Sequence, residues 1–339
     1  MNTMELRRVQ VTGGSSYVIT LPKEWITSLK IKKNDPLAIY IQSDGTLHIT
    51  PKITQESVQQ IKEIPIQDNT KQSFLLRHLI AAYIAGFTTI QITSKKRIPT
   101  SLRSILQTFT QMAIGPEIIE ETETSVTLKD LLNLTEMPFN RTIKRMHIIV
   151  KGMHEDVMKA LHTKQMTSTT EILSRENEVD RLHWLVARQH NIILQNVILS
   201  EKMNTTPQFV STCFLISRTI ERIADHTVKI SYTIPPIISS TLEQKYIDCI
   251  VKAGNHSIEV FNKSISAFYK KDIYASHETI ESMDSLRCDY ETINTLAHQQ
   301  KGIIASSVGS LVESIRRIGE YSQNISETVI NYLITEESS

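Results

Sequence analysis

The sequence predicts a multidomain α+β chain: a small β-rich N-terminal module, a small α/β insert, and a mainly α region of two three-helix bundles. Three observations carry this. Short β-branched runs punctuated by Gly, Asn and Asp occupy the stretch before Pro51. Helix-like and strand-like patterns alternate from 70 to 137, and beyond Pro138 only long helical periodicities remain. A length of 339 residues allows two or three separate cores, and the low content of 10 Gly and 10 Pro favours long helices.

In the first module (1–51), strands at 7–11 and 17–21 flank Gly13-Gly14-Ser15-Ser16, which reads as a hairpin turn. Pro22 fits the first position of a short helix, Asn34-Asp35 turns into a strand at 37–41, and Asp44-Gly45 closes a hairpin onto 46–49. So few large apolar side chains give a marginal core, which dimerisation would complete. Residues 52–69 are polar, with Ile53, Val58, Ile61, Ile64 and Ile66 scattered among them, and read as a tether. The insert (70–137) then shows a helix at 74–85 stopped by Gly86, a strand at 87–92, a helix at 102–112 and strands at 117–120 and 125–128.

Helical patterns follow at 143–161, 168–195, 208–233, 242–269, 273–298 and 303–334. Pro235-Pro236 divides them into bundles at 138–235 and 236–335. Residues 218–226 echo 313–321 on the third helix of each bundle, which points to duplication.

A net charge of +1 supplies no general attraction for nucleic acid, so any such contact needs a local patch. Cys213, Cys249 and Cys288 are widely spaced and odd in number, which fits small core residues in a reducing cytoplasm rather than a disulfide framework. No signal-peptide pattern opens the chain, and its most apolar stretch, 79–87, is too short for a transmembrane segment.

Glu176 and Asp180 stand one turn apart on a single helical face, and Glu221 and Asp225 repeat that spacing on the next long helix. Glu221 and Asp225 lie at the edge of an apolar stripe. Antiparallel packing would therefore gather four carboxylates that repel one another without a cation, an oxygen set suited to iron, manganese, magnesium or calcium. Spacing alone equally allows surface ion pairs with Arg175, Arg181, Arg218 and Arg222. His183 and His226 read as partner-bonded histidines more readily than as ligands.

The run Glu221-Arg222-Ile223-Ala224-Asp225-His226-Thr227-Val228-Lys229-Ile230 resembles the signature of the PhoU family, and Glu176-Asn177-Glu178-Val179-Asp180-Arg181-Leu182 resembles its second-helix counterpart. The resemblance covers about 140–335. It implies two similar three-helix bundles and a bound divalent or trivalent metal ion (iron, manganese, magnesium or zinc) at Glu176, Asp180, Glu221 and Asp225. At the corresponding places the second bundle has Ile280, Asp284, Arg316 and Glu320, so one site per chain is expected, with Arg316 paired to Asp284 or Glu320.

Arg8-Val9-Gln10-Val11, Ser16-Tyr17-Val18-Ile19-Thr20-Leu21-Pro22-Lys23 and Ile31-Lys32-Lys33-Asn34-Asp35-Pro36-Leu37 resemble the AbrB/MazE/SpoVT swapped-hairpin family. That resemblance implies a homodimer whose interleaved β-barrel presents Arg7, Arg8, Lys23, Lys32 and Lys33 to DNA. Together the two resemblances describe a cytoplasmic, archaeal-type PhoU regulator of phosphate homeostasis. It competes with an adaptor that controls a phosphate transporter or signalling partner without DNA binding, and with a metal-dependent hydrolase. The hydrolase reading lacks a Glu-x-x-His motif and an evident nucleophile and base pair. Lys95-Lys96-Arg97 in the insert reads as a second phosphate or nucleic-acid contact or as a solvated loop.

Overall fold

Gly13 and Gly14 take φ values of 61° and 86°, which other residues reach only with strain, and so turn β1 (Gln10–Thr12) back onto β2 (Ser16–Val18). The computed structural model describes residues 5–41, 45–51, 60–165, 168–297 and 300–336. Asp44 of the expected second turn, residues 52–59 of the expected tether, His298 and the side chain of Cys288 lie outside what is described. After Pro22, which precedes rather than opens the helix, come α1 (Lys23–Ser28) and an antiparallel hairpin of β3 (Ala38–Ile41) and β4 (Leu47–Thr50). These elements belong to an N-terminal unit ending at Val58, and a second unit runs from Gln59 to Ser338. No described residue of the N-terminal unit is buried; Val11, Tyr17, Ile39 and Ile41 are between 60% and 78% exposed.

The second unit begins with the insert: β5 (Ile61–Ile66), α2 (Gln72–Ile84), β6 (Thr89–Ser94), α3 (Thr100–Met112), β7 (Pro116–Glu121) and β8 (Ser125–Asp130). The sheet order is β5-β6-β8-β7, with β5 and β6 parallel and the other pairs antiparallel. Residues 61–66 therefore do not belong to a tether, and the expected 52–69 linker is corrected by this edge strand. Ile64 and Ile66 face the core, and Pro65 is tolerated because an edge strand has one unpaired side. Leu75, Leu79, Tyr83, Leu106, Phe109 and Leu128 fill the space between sheet and helices.

Eight helices follow a 3₁₀ turn at Leu134–Glu136. They are α4 (Phe139–Thr163), α5 (Thr169–Ile193), α6 (Val197–Lys202), α7 (Pro207–Ile238), α8 (Gln244–Lys270), α9 (Ile273–Glu281), α10 (Met283–Ala297) and α11 (Gly302–Glu336). Ser168 and Thr206 cap α5 and α7 by accepting from the backbone N–H groups of Glu171 and Phe209. The first helix of each bundle ends on a left-handed lysine, Lys164 after α4 and Lys271 after α8, which extends the internal repeat. A single apolar core from Phe139 to Leu333 joins the bundles, with α7 and α11 packed together along the seam.

Two expectations about the helices change. Pro235-Pro236 does not divide them, because α7 continues to Ile238; the prolines fall in its last turn, where burial of Ile234 and Ile237 outweighs the lost backbone bonds. The expected helix at 273–298 is broken at Ser282, whose hydroxyl donates to the Thr279 carbonyl.

The insert is held to α5 by a buried charge. Arg188, 1% exposed, pairs with Asp130 at 2.7 Å, donates to the Tyr83 carbonyl and lies over the Tyr83 ring at 4.8 Å. Its neighbours reinforce the join: the Gln189 amide donates to the Met137 carbonyl at 2.7 Å and that of Asn191 to the Ile84 carbonyl at 2.9 Å. Gly86 has φ 100° and lies so close to α5 that a Cβ would come within 2.9 Å of Ile192. Removing the guanidinium strands Asp130 in the interior, so Arg188→Ala should lower the unfolding free energy by about 3–5 kcal/mol in urea titration. A loss below about 1 kcal/mol would show that the pair contributes no more than a surface contact.

Candidate functional site

Contacts between α5 and α7 run in opposite senses along the two helices. His183 meets Ser217 at 3.0 Å and, about two turns further along α5, His190 meets Ser211 at 3.3 Å. Continuing that antiparallel register the other way brings Glu176 and Asp180 toward Glu221 and Asp225. All four carboxylates are half-buried. Burial is the first cause that raises each one's pKa, and in three of them their mutual repulsion follows. Asp180 is pushed up to about 7 by burial and then by Glu176 and Asp225. Glu221 reaches about 7 by burial, Asp225 and Asp180, against the opposing Arg222 and Arg218. Glu176 is raised by burial, Asp225 and Glu221, and Asp225 by burial against Lys229 and Arg222.

The arginines expected to neutralise these groups make no ion pair with them among the described residues, although Arg218 and Arg222 act on Glu221 through space. Arg175 binds Asp156 at 2.7 Å and Glu171 at 2.8 Å, and Arg222 lies over the Tyr321 ring at 5.6 Å. Arg181 has a buried Nε without a partner, and Arg218 is exposed. Glu178, on the same helix but facing outward, pairs with Arg145. Among the described residues none of the four inner carboxylates has a hydrogen bond or ion pair. Four oxygen-donor groups that no ion pair neutralises among the described residues, with mutual repulsion in three of them, match the chemistry of a hard cation. Their arrangement is open: among the described residues no three His, Cys, Asp or Glu side chains converge into a metal-holding group. His183 is occupied by Ser217 and stacks on Phe214 at 5.9 Å, while His226 lies against Tyr321 at 5.7 Å; burial lowers both to about 4.

The second bundle resolves the same positions by internal pairing. Arg316 bonds Glu313 at 2.7 Å and also Glu320, Arg317 bridges the same two acids, and Asp284 pairs with Arg287 at 2.9 Å rather than with Arg316. One constellation there escaped the sequence. Asp289 accepts from His256 Nδ1 at 3.1 Å, and Ser285 Oγ lies 3.4 Å from His256 Nε2. It has the order of a nucleophilic triad, but the Ser285 hydroxyl donates to the Ser282 carbonyl at 2.8 Å and Asp289 is shared with Lys252 at 3.0 Å.

In the N-terminal unit Arg7, Arg8, Lys23, Lys32 and Lys33 are all exposed. Arg7 bonds Glu5, while the other four are in no ion pair among the described residues. The Lys32 backbone N–H donates to Asp35 at 2.7 Å, which explains the turn that the Lys-Lys-Asn-Asp run predicted.

Comparison with known proteins agrees with this division. Residues 143–234 match the family described as PhoU domain, and residues 10–56 match the one described as Antidote-toxin recognition MazE, bacterial antitoxin. The structure is similar to that of PhoU from Pseudomonas aeruginosa, with 14% identity and a TM-score of 0.50 over 58% of this chain and 96% of that one. It is similar also to the phosphate transport system regulatory protein PhoU from Streptococcus pneumoniae, with 14% identity and a TM-score of 0.50 over 60% of this chain and 95% of that one. At such identities the likeness is one of fold. No curated protein matches. Both matched families are regulatory and non-catalytic, and no described helix is long and apolar enough to cross a membrane.

The raised carboxylates give a pH signature in metal-free protein. Asp180 and Glu221 bind protons more tightly folded than unfolded, so their contribution to stability is full below about pH 4 and is lost as pH rises to about 7. His154, His183 and His226, lowered to about 4, act in the opposite direction over part of that range, so the wild type alone does not isolate the effect. An Asp180→Asn/Glu221→Gln variant should therefore gain in melting temperature relative to wild type between pH 5 and 7 and hold that gain above it. A pH-independent difference would contradict the proposed charge repulsion.

Proposed function

From a chain that carries a PhoU domain behind an AbrB/MazE-type domain, we propose a dimeric, DNA-binding regulator of phosphate homeostasis whose helical half responds to a bound cation. The observation that carries the reading is the set of four half-buried carboxylates on α5 and α7 that make no ion pair among the described residues and are all raised by burial. Glu176, Asp180, Glu221 and Asp225 would hold the cation. Its positive charge would remove the repulsion between the two helices, and their spacing would follow its presence. Iron, manganese, magnesium and zinc all accept carboxylate ligands, and the oxygen-only set favours the harder ions.

Dimerisation accounts for the N-terminal unit. Two hairpins and a six-residue helix with no buried described residue do not make a core alone, and the exposed Val11, Tyr17, Ile39 and Ile41 are the surface that a second copy would cover. Two copies double the exposed cations Arg7, Arg8, Lys23, Lys32 and Lys33. Such a surface holds phosphate backbones, with an affinity that falls steeply as salt rises. The whole acts in the cytoplasm, not as an enzyme, and reads a cellular state at one end to change DNA occupancy at the other.

Retention of the full-length protein on duplex DNA, at low and moderate salt, tests the reading. An Arg7→Ala/Arg8→Ala/Lys23→Ala variant should bind at least about tenfold more weakly and show a shallower salt dependence. Light scattering should find two copies in both proteins. Unchanged retention would remove DNA contact from these residues and favour an adaptor that acts on a protein partner of a phosphate transport system.

A further inference from the structure

The insert carries a charged cleft that the proposed regulator does not use. β5 and β6 run parallel, and their carboxyl ends coincide, Ile66 facing Ser94. The loops that leave them, 67–71 into α2 and 95–99 into α3, therefore stand side by side at one edge of the sheet. The helices they enter, α2 and α3, pack on each other, so both loops leave the sheet toward one face and border a crevice at its edge. Here the crevice is a cleft of about 780 Å³, with Pro65 and Ile66 as its apolar floor and Gln67, Asn69, Thr93 and Ser94 as polar walls. A second cleft of about 360 Å³ shares Pro65, Gln67 and Asn69 with it and extends to Lys71 and Phe74.

Charge and aromatic surface are both unusual at this edge. The two loops contain Lys71, Lys95, Lys96 and Arg97 against one acid, Asp68, in a chain whose net charge is only +1. Asp68 holds Lys96 at 2.6 Å, and Lys71, Lys95 and Arg97 are in no ion pair among the described residues. Beside Lys71, the Phe74 side chain is 55% exposed, with the His78 ring 4.3 Å from it. A phenyl ring left in water next to uncompensated cations suits a ligand that carries both a flat ring and phosphate.

We propose that this edge of the insert binds a nucleotide, with Lys95 and Lys96 of the cleft lining and Arg97 of the same loop taking phosphate, and Phe74 stacking on the base. Free nucleotides and single-stranded nucleic acid share that chemistry. The open form of the joined clefts admits either one, since each cleft has a side toward solvent and β5 is an edge strand.

Fluorescence anisotropy on the full chain tests this with a labelled oligothymidine, and with unlabelled ATP as competitor. A Lys95→Ala/Arg97→Ala variant and a Phe74→Ala variant should each weaken oligothymidine binding by about tenfold or more. Circular dichroism and melting should stay unchanged, because these side chains are exposed. The Arg7→Ala/Arg8→Ala/Lys23→Ala variant should keep most of the single-strand binding, which separates this site from the N-terminal unit. Displacement by ATP identifies a free nucleotide as the ligand, and loss in the variants without displacement identifies a strand. Binding that survives the Lys95/Arg97 change would overturn the proposal, and so would a charge effect with no Phe74 effect, since that is general attraction of a polyanion.

Discussion

Four carboxylates brought together between α5 and α7 are the constraint around which the helical half is arranged. Each is only half-buried, yet burial raises all four, neighbouring acids add to it in three, and two of them reach about 7. The apolar core on either side is continuous, so the helices are held together by Ile216, Ile220 and Ile223 of α7 and Val179, Leu182 and Val186 of α5, despite the repulsion. A bundle needs no such cost for stability alone. The second bundle shows the alternative, with Arg316 and Arg317 set among Glu313 and Glu320 to neutralise the same region.

The same helix that bears Glu176 and Asp180 ends in the buried Arg188. From Asp180 to Arg188 is about 12 Å along a helix. A change in how α5 sits on α7 is therefore transmitted along a rigid rod to Asp130, Tyr83 and Ile84 of the insert. That connection requires no separate pathway, only the stiffness of one helix bonded at its far end by a charge that tolerates no loss of partner. It links the carboxylate cluster to the insert, whose outer edge carries the lysine-rich cleft.

Much of this organisation is visible in the residues. Periodicity locates the long helices because their buried positions recur at helical spacing, and the paired Glu-x-x-x-Asp runs mark the site because both members must share one face. The edge strand at 61–66 was hidden by its charged Lys62 and Glu63 and by Pro65, which are allowed only because one side of it is unpaired. Pro235-Pro236 misled for the opposite reason, since a local rule against proline yields to burial in a final helical turn. Arg188 lies in a run, 185–189, that is buried on every side, so its charge needs a buried partner, but periodicity does not set it apart from its neighbours. Asp130, its partner, lies too far away in sequence for any periodic pattern to connect them.

Metal content after purification and exhaustive dialysis, measured by inductively coupled plasma mass spectrometry, tests the carboxylate cluster most directly. Wild-type protein reloaded with iron, manganese, magnesium or zinc should retain at least one ion per chain for one of them. A Glu176→Gln/Asp180→Asn/Glu221→Gln/Asp225→Asn variant of unchanged helicity should retain none. Equal retention by the two proteins would contradict a cation site at these four residues.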